Sequence, residues 1–208
     1  MDSSTIQAIS KWPQVPNCFG WLSFDRRGEW RIQNEFAQKN NLPGEVITHQ
    51  GFKHYIENHL ARDHLGRHFF QNGPQRVYIN FAYSPWVVRF YPLDDGHWEL
   101  KTTFGEIIHP KECFMDEMDQ ISFSAEFEVD TLRENGNFEK NKIQSIGILH
   151  DHDLEIFSAF AKIYNNHCGS IGEFLWHQKL GIEPINSKDI SRLFNFCLLY
   201  TSTSPRDG

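Results

Sequence analysis

Short stretches in which hydrophobic and polar residues alternate recur along the chain, and turn-forming residues separate them. Alternation with a period of two is typical of strands that bury one face. The pattern therefore predicts a series of hairpins. The predicted strands cover residues 19–24, 29–32, 67–71, 75–82, 86–91, 98–108, 113–115, 121–129 and 143–149.

Helical periodicity is confined to short segments. Hydrophobic residues between 52 and 60 fall on one helical stripe, and Thr48 can cap this helix. A second helix is predicted over about 151–164, with Asp151 or Asp153 as its cap. The sequence thus predicts an α+β fold, mostly of antiparallel β-hairpins, with two or three short helices.

Segment 170–185 carries two conflicting patterns. Ser170 begins a capping box with Glu173, which favours a helix. Hydrophobic residues at alternate positions from Phe174 to Ile182 favour a hairpin instead. We predict the hairpin, followed by a single helical turn.

The domain organisation is predicted from the distribution of turn formers and polar residues. Residues 1–17 contain three turn formers and are expected to be a loose lead-in. Residues 18–196 are expected to form a single α+β domain, in which the polar stretch 130–142 is a flexible loop.

Composition and charge narrow the class of protein. The 208 residues include 18 phenylalanines, enough for one sizeable core, and no stretch approaches the length of apolar residues needed to cross a membrane. The net charge is -7, with +3 in residues 1–92 and -10 in residues 93–208. Nucleic-acid binding depends on neutralising phosphates, so the acidic net charge argues against that function.

Cysteine spacing indicates the compartment. Cys18, Cys113 and Cys168 are widely separated, and no C-x-x-C pair occurs. This pattern fits neither a disulfide framework nor a zinc knuckle. Since no secretory signal is visible either, we expect a cytoplasmic protein with free thiols.

Residues 197–208 resemble a translated sequencing adaptor. The stretch from Cys197 to Ser202 translates back to a transposon end that is used in such adaptors, and the following residues differ from its usual continuation at one position. We therefore expect a non-native tail without packing against the core, and a native chain that continues differently after Phe196.

The Asn72-Gly73 pair predicts a two-residue hairpin of type I′. A tight turn determines which side chains share a face of the hairpin. One face is then hydrophobic and belongs to the core; it carries Phe70, Val77, Ile79 and Phe81.

The opposite face of this hairpin is the first candidate site. If the strand over 86–91 pairs next, arginines and aromatic rings interleave there, and three guanidiniums would suit a planar anion such as a carboxylate or phosphate. Ordinary cross-strand packing of arginine and tyrosine is the interpretation we favour, and anion binding is the alternative. The candidate ligand-binding residues are Arg67, Gln71, Arg76, Tyr78 and Arg89.

The run from His150 to Asp153 is the second candidate site. His150 and His152 share a face if the chain is extended, and imidazole and carboxylate groups bind zinc or iron. No spacing rule supplies a third ligand, and a helix start explains the two aspartates. We therefore predict no complete metal site and no cofactor.

Four short motifs are distributed along the chain: Phe19-Gly-Trp-Leu22, Asp25-Arg-Arg-Gly28, Phe69-Phe-Gln-Asn-Gly-Pro-Gln-Arg-Val-Tyr78 and Asp153-Leu-Glu155. Together with neighbouring residues, they resemble a bacterial family of conserved proteins whose function is unassigned. The resemblance covers roughly residues 18–196, and it implies a soluble bacterial protein but no catalytic residue.

Two hypotheses for the function follow, and none of the common catalytic motifs decides between them. The first is a non-catalytic binding or accessory protein, whose partner is a small anionic ligand or another protein. The alternative is a metal-dependent enzyme, resembling a hydrolase, that uses His150 and His152 with nearby carboxylates.

Overall fold

The computed structural model describes residues 1–164 and 171–198. These residues contain five α-helices: α1 (Ser3–Lys11), α2 (Glu35–Lys39), α3 (Gln50–Asn58), α4 (Leu154–Phe160) and α5 (Ile190–Leu193). They also contain fourteen strands: β1 (Cys18–Phe24), β2 (Trp30–Ile32), β3 (Glu45–Val46), β4 (Leu60–Asp63), β5 (His68–Asn72), β6 (Gln75–Phe81), β7 (Trp86–Pro92), β8 (Trp98–Thr102), β9 (Glu112–Met115), β10 (Ile121–Leu132), β11 (Phe138–Leu149), β12 (Ala161–Ile163), β13 (Gly172–Leu175) and β14 (Lys179–Pro184). The fold is α+β, as predicted, but it has more helices than the expected two or three.

The fourteen strands belong to one mixed sheet. Hairpins such as β5–β6, β10–β11 and β13–β14 are antiparallel. Parallel pairs join the hairpins to one another: β1 with β6, β4 with β10, β7 with β11, and β9 with β14. The prediction of antiparallel hairpins is therefore correct only in part, because alternation along a strand does not encode its distant partner.

Three hairpin turns use the same device, an aspartate at the first position. Its carboxylate accepts hydrogen bonds from the backbone N–H groups two and four residues later, at 2.8–3.0 Å. The residue three positions later has a positive φ, which glycine and aspartate tolerate. The turns begin at Asp25, Asp63 and Asp116.

The β5–β6 hairpin turns one residue later than predicted. Asn72 pairs with Gln75, so Gly73 and Pro74 form the two-residue loop. A type I′ turn needs a positive φ at both central residues, and proline cannot adopt one. A type II′ turn needs a positive φ only at the first central residue, which is Gly73 here, with φ 55°. When the turn moves by one residue, the partner of each residue changes by two positions. Side chains alternate between the two faces with a period of two, so each face keeps its predicted residues.

The lead-in and the polar loop are more regular than expected. Within residues 1–17, helix α1 is capped by Asp2, whose side chain accepts a hydrogen bond from the Thr5 amide at 2.7 Å. Residues 130–142 are not a flexible loop; they form the ends of β10 and β11 and a tight turn. These strand ends and their turn, here called the β10–β11 ribbon, are polar because few of their side chains are buried. Ion pairs such as Arg133–Glu139 connect the two strands in place of hydrophobic contacts.

Two hydrophobic clusters lie on opposite faces of β7 and β11. Val88 and Phe90 belong to one cluster, together with β10, β13, β14 and α4. Val87 and Ile148 belong to the other, together with β1, β2, α3 and β6. Both faces are therefore buried where the two strands pair, at the start of β7 and in residues 145–149 of β11. The organisation as a single domain stays a prediction.

The C-terminal part confirms one prediction and departs from another. Strands β13 and β14 form the predicted hairpin, although Ser170 lies outside the described residues. Cys197 and Leu198 are half-buried against hydrophobic clusters, and the Leu198 carbonyl accepts a hydrogen bond from the Phe81 amide at 2.8 Å. These two residues thus pack against the core, contrary to expectation, whereas residues 199–208 lie outside the described residues.

None of the described helices has the length and the hydrophobic content that a membrane-spanning helix needs.

Candidate functional site

Arg67 and Tyr78, two of the predicted ligand-binding residues, converge on one buried carboxylate. Arg67 Nε donates to Asp63 Oδ2 at 2.6 Å, and the Tyr78 hydroxyl donates to the same oxygen at 3.3 Å. The Arg67 guanidinium also lies 5.0 Å from the centre of the Tyr78 ring. Asp63, Arg67 and Tyr78, here called the Asp63 cluster, thus satisfy one another in the manner of cross-strand packing.

The other two residues of this hairpin face are also engaged within the protein. Gln71 is fully buried, and its Nε2 donates to the Gly73 carbonyl at 2.8 Å. The Arg76 guanidinium lies 5.6 Å from the centre of the Phe69 ring. Since Phe69 is itself fully buried, the face is largely covered rather than open to solvent.

Arg89 does not join this face. It lies on β7, which pairs with β8 and β11 and not with β6. The prediction that five residues share one face is therefore wrong in this respect. The reason is that strands adjacent in sequence need not be neighbours in a sheet, and the pairing of β7 with β11 moves Arg89 away from Arg67 and Arg76.

Arg89 is positioned by Asp153, the last residue of a short 3₁₀ turn (Asp151–Asp153) that follows β11. Its Nη2 and Nε donate to the two carboxylate oxygens of Asp153, at 2.8 and 3.2 Å. The Phe90 amide donates to the same carboxylate at 2.9 Å. Asp153 is buried, so this fork-shaped pair raises the pKa of Arg89 and fixes the guanidinium at the protein surface.

His150 lies beside this pair. Its backbone N–H donates to the Val88 carbonyl at 3.0 Å, and its Nδ1 accepts a hydrogen bond from the His152 amide at 3.1 Å. Nδ1 also lies 3.1 Å from Asp151 Oδ1. With Nδ1 acting as the acceptor for the His152 amide, the proton of the neutral ring is on Nε2. Burial, and then the charge of Arg89, lower the pKa of His150 below its ordinary value.

Arg89 and His150 line a polar cavity of about 470 Å³, here called the basic cavity. Its remaining walls come from the β1–β2 turn, from helix α3, and from Tyr91 and Thr103. The residues that can carry a positive charge are Arg27, Lys53, His54, Arg89 and His150. A cavity of this size can hold a small ligand.

Each permanent cation in the basic cavity has a carboxylate partner. Besides the Arg89–Asp153 pair, Arg27 Nη2 lies 2.7 Å from Asp151 Oδ2, and Lys53 Nζ lies 2.6 Å from Glu29 Oε2. Each arginine uses only two of its five N–H donors in these pairs. The carboxylates therefore orient the cations and leave donors for a ligand.

The histidines also belong to a group that resembles a metal site. Ligand atoms of His150, Asp151 and His152 lie within 4.8 Å of one another. Asp151, however, accepts two hydrogen bonds from Arg27, and His150 Nδ1 is occupied by the His152 amide. Zinc generally requires four ligands, and within the described residues this group offers three. The absence of a complete site stays a prediction.

The described cysteines take no part in either site. Cys113 is buried, and burial raises the pKa of its thiol to about 12. Cys18 is half-buried, and burial raises the pKa of its thiol also. Both are free thiols, as expected, and Cys168 lies outside the described residues.

The family model DUF2944, described as "Protein of unknown function (DUF2946)", matches residues 1–200. The chain belongs to this family. Its members thus carry no described function that could be transferred, as the sequence resemblance implied. The match extends into the segment that we expected to be a non-native tail.

Comparison with other proteins adds little on function. No curated protein matches the chain significantly. One solved structure, of a DUF1285 family protein from Silicibacter pomeroyi DSS-3, is similar with a TM-score of 0.42 and 11% identity. The similarity covers 80% of this chain and 81% of that one.

Several residues of the basic cavity were missed by sequence reasoning. Lys53, His54 and Glu57 lie on helix α3, which was predicted only from its hydrophobic stripe. Arg27 lies in the Asp25-Arg-Arg-Gly28 motif, which was interpreted as a turn. This motif was the sequence signal that could have indicated the cavity, since it places charged side chains at a tight turn.

Proposed function

We propose that this protein binds a small anion, a carboxylate or a phosphate, in the basic cavity and that it acts as a binding or accessory protein. The observation that carries the proposal is the Arg89–Asp153 pair. A buried carboxylate holds the guanidinium in one orientation at the cavity wall. Such a preorganised donor loses little conformational entropy when a ligand binds.

His150 supports the proposal with a neutral donor. Because its pKa is lowered and its Nδ1 accepts a hydrogen bond, the ring presents Nε2–H near neutral pH. Arg89 and His150 line the same cavity, so a charged donor and a neutral donor are available to one ligand. Together with Arg27, this arrangement suits the several oxygens of a phosphate or carboxylate.

The test compares two exposed arginines that both form surface ion pairs. Arg27 pairs with Asp151 at the basic cavity, whereas Arg133 pairs with Glu139 on the β10–β11 ribbon. Surface ion pairs of this kind contribute about 0–1 kcal/mol to stability, so both variants should remain folded. Arg27→Gln should reduce the stabilisation of the protein by inorganic phosphate or sulfate in thermal unfolding, and Arg133→Gln should not.

Two alternatives give different results in the same experiment. If the anion binds on the β5–β6 hairpin face, Arg76→Ala should reduce the stabilisation and Arg27→Gln should not. If the protein is instead a metal-dependent enzyme centred on His150 and His152, divalent cations should stabilise it and anions should have no effect. An absence of any stabilisation by phosphate, sulfate or acetate would contradict the proposal.

A further inference from the structure

A second cavity, of about 360 Å³, lies between the two hydrophobic clusters. Its inner walls are hydrophobic and include the rings of Trp30, Phe81, Trp86 and Phe104. Trp30 and Phe104 stack nearly in parallel, with ring centres 6.0 Å apart. This aromatic cavity differs from the basic cavity in having walls suited to an apolar body.

His68 is the unusual group in the aromatic cavity. The residue is 5% exposed, and neither ring nitrogen makes a hydrogen bond of normal geometry within the described residues. Its ring meets those of Phe81 and Trp86 edge-on. Burial, and then the charge of Arg62, lower the pKa of His68 to about 3, against the effect of the Gly66 carbonyl. The imidazole is therefore neutral, and its nitrogens lack the well-aligned partners that buried polar groups normally have.

The exposed side of the aromatic cavity is acidic. Its carboxylates belong to Glu57, Glu106, Glu128 and Asp130. Glu128 pairs with Lys140, and Asp130 pairs with the amino-terminal ammonium of Met1.

Glu57 and Glu106 are half-buried, and neither forms a salt bridge within the described part of the chain. Glu57 accepts a hydrogen bond from the Trp30 indole at 3.3 Å, and Glu106 accepts one from the Glu128 amide at 2.8 Å. Burial raises the pKa of both carboxyl groups, which indicates that a cation beside them would be favoured.

We propose that the aromatic cavity binds a primary amine that has an aromatic body and a hydrogen-bonding group at its far end. The ammonium lies against Glu106 and Glu57, the body lies between the aromatic rings, and the far group bonds to His68. An ammonium also gains from the faces of neighbouring aromatic rings. This inference does not rest on the proposed anion site.

The first test compares four probes by isothermal titration calorimetry on the full chain. Tyramine has the ammonium, the ring and a terminal hydroxyl. Phenethylamine lacks the hydroxyl, tyrosol replaces the ammonium by a neutral hydroxyl, and 4-hydroxyphenylacetate replaces it by a carboxylate. We expect tyramine to bind tightest, by about tenfold over tyrosol and about fivefold over phenethylamine, as charged and neutral hydrogen bonds differ in strength.

The second test assigns these two preferences to residues. Glu106→Gln should remove the preference for tyramine over tyrosol, whereas the control Glu126→Gln, at an exposed glutamate of β10 outside the cavity, should leave it unchanged. His68→Phe should remove the preference for tyramine over phenethylamine. It should also leave the unliganded protein at least as stable in thermal unfolding, because an unpartnered polar group is lost.

The outcomes separate this inference from its competitors. It is overturned if tyramine shows no binding at concentrations up to about 5 mM. A dissociation constant above that value would correspond to a binding free energy of only about 3 kcal/mol. It is also overturned if tyrosol or 4-hydroxyphenylacetate binds as tightly as tyramine, or if Glu106→Gln leaves the preference intact. Should His68→Phe fail to fold, the Glu106→Gln result alone decides. Glu57 lines both cavities, whereas Glu106 lines only the aromatic cavity, so the Glu106→Gln test leaves phosphate binding in the basic cavity unaffected.

Discussion

The Asp63 cluster and the Arg89–Asp153 pair have similar chemistry in different surroundings. In both, an arginine that is partly exposed is held by an aspartate side chain that is 3–4% exposed. Asp63 and Arg67 are four residues apart and belong to one turn. Arg89 and Asp153 are 64 residues apart and connect β7 to the segment after β11.

The surroundings indicate different roles for the two pairs. The Asp63 carboxylate also accepts hydrogen bonds from the Leu65 and Arg67 amides and from Tyr78, so its acceptors are used within the hairpin. Arg89 borders a cavity that contains further cations and a neutral imidazole. A buried ion pair is therefore no guide to function by itself. A pair can bind a ligand only if its arginine keeps unused N–H donors beside a cavity.

The largest expected effect concerns the two aspartates. Asp63→Ala and Asp153→Ala should each lower the free energy of unfolding by about 3–5 kcal/mol, because each leaves an arginine and backbone donors without their partner. Urea unfolding measures the loss. Asp189→Ala is the control, since Asp189 forms an exposed pair with Arg192 and should change stability by less than about 0.5 kcal/mol. A small effect at Asp63 would show that its cluster is not structural.

A smaller effect should separate the two arginines by function. Arg89→Lys keeps the charge but loses the fork-shaped donor, and we expect about tenfold weaker sulfate binding, equivalent to about 1.4 kcal/mol. Arg67→Lys should leave sulfate affinity unchanged, because Arg67 lies in the Asp63 cluster and not at the basic cavity. Calorimetric titration checks both variants. Equal losses at both positions would remove the distinction drawn between the two pairs.

The pH dependence of sulfate binding should depend on His150. The groups around it are Arg89, Asp151, His152 and Asp153, and their combined effect with burial lowers its pKa. His150 is therefore neutral at pH 7 and gains a positive charge as the pH falls through that lowered pKa. Sulfate affinity should rise about threefold to fivefold as the pH falls from 7 through that lowered pKa, as expected for one added charge near the ligand.

Stability should change in the opposite direction over the same range. Because the folded pKa of His150 lies below the unfolded value, the unfolded chain binds more protons between the two values, and the free energy of unfolding falls as the pH falls. His150→Gln should remove the rise in sulfate affinity. If the rise persists in this variant, another group, such as the exposed His152, is responsible.

The smallest expected effect concerns zinc. Since Arg27 occupies Asp151 and the His152 amide occupies His150, about 0.1 mM zinc should raise the free energy of unfolding by less than about 0.5 kcal/mol. Denaturation with and without the metal measures this. A larger stabilisation that disappears in His152→Ala would instead favour the metal-dependent enzyme.

Local features of the fold were predictable from the sequence because they depend on residues close together in the chain. Helix α3 and the β13–β14 hairpin both follow from short-range rules, although the helix is capped by His49 and not by the predicted Thr48. The two faces of the β5–β6 hairpin were also predicted correctly, although the turn type was wrong. A pairing shift of two residues leaves every side chain on the same face of its strand. The ribbon at 130–142 was missed because a polar strand in solvent has the composition of a loop.

The sequence by itself determined which side chains share a face of the β5–β6 hairpin, because this depends on backbone geometry over a few residues. Only the tertiary structure decided which hairpins meet. The parallel pairing of β7 with β11 moved Arg89 from the predicted hairpin face to His150, and the placement of α3 supplied Lys53 and His54. These contacts arise because both faces of β7 and of residues 145–149 of β11 are buried, and this burial involves residues far apart in the chain.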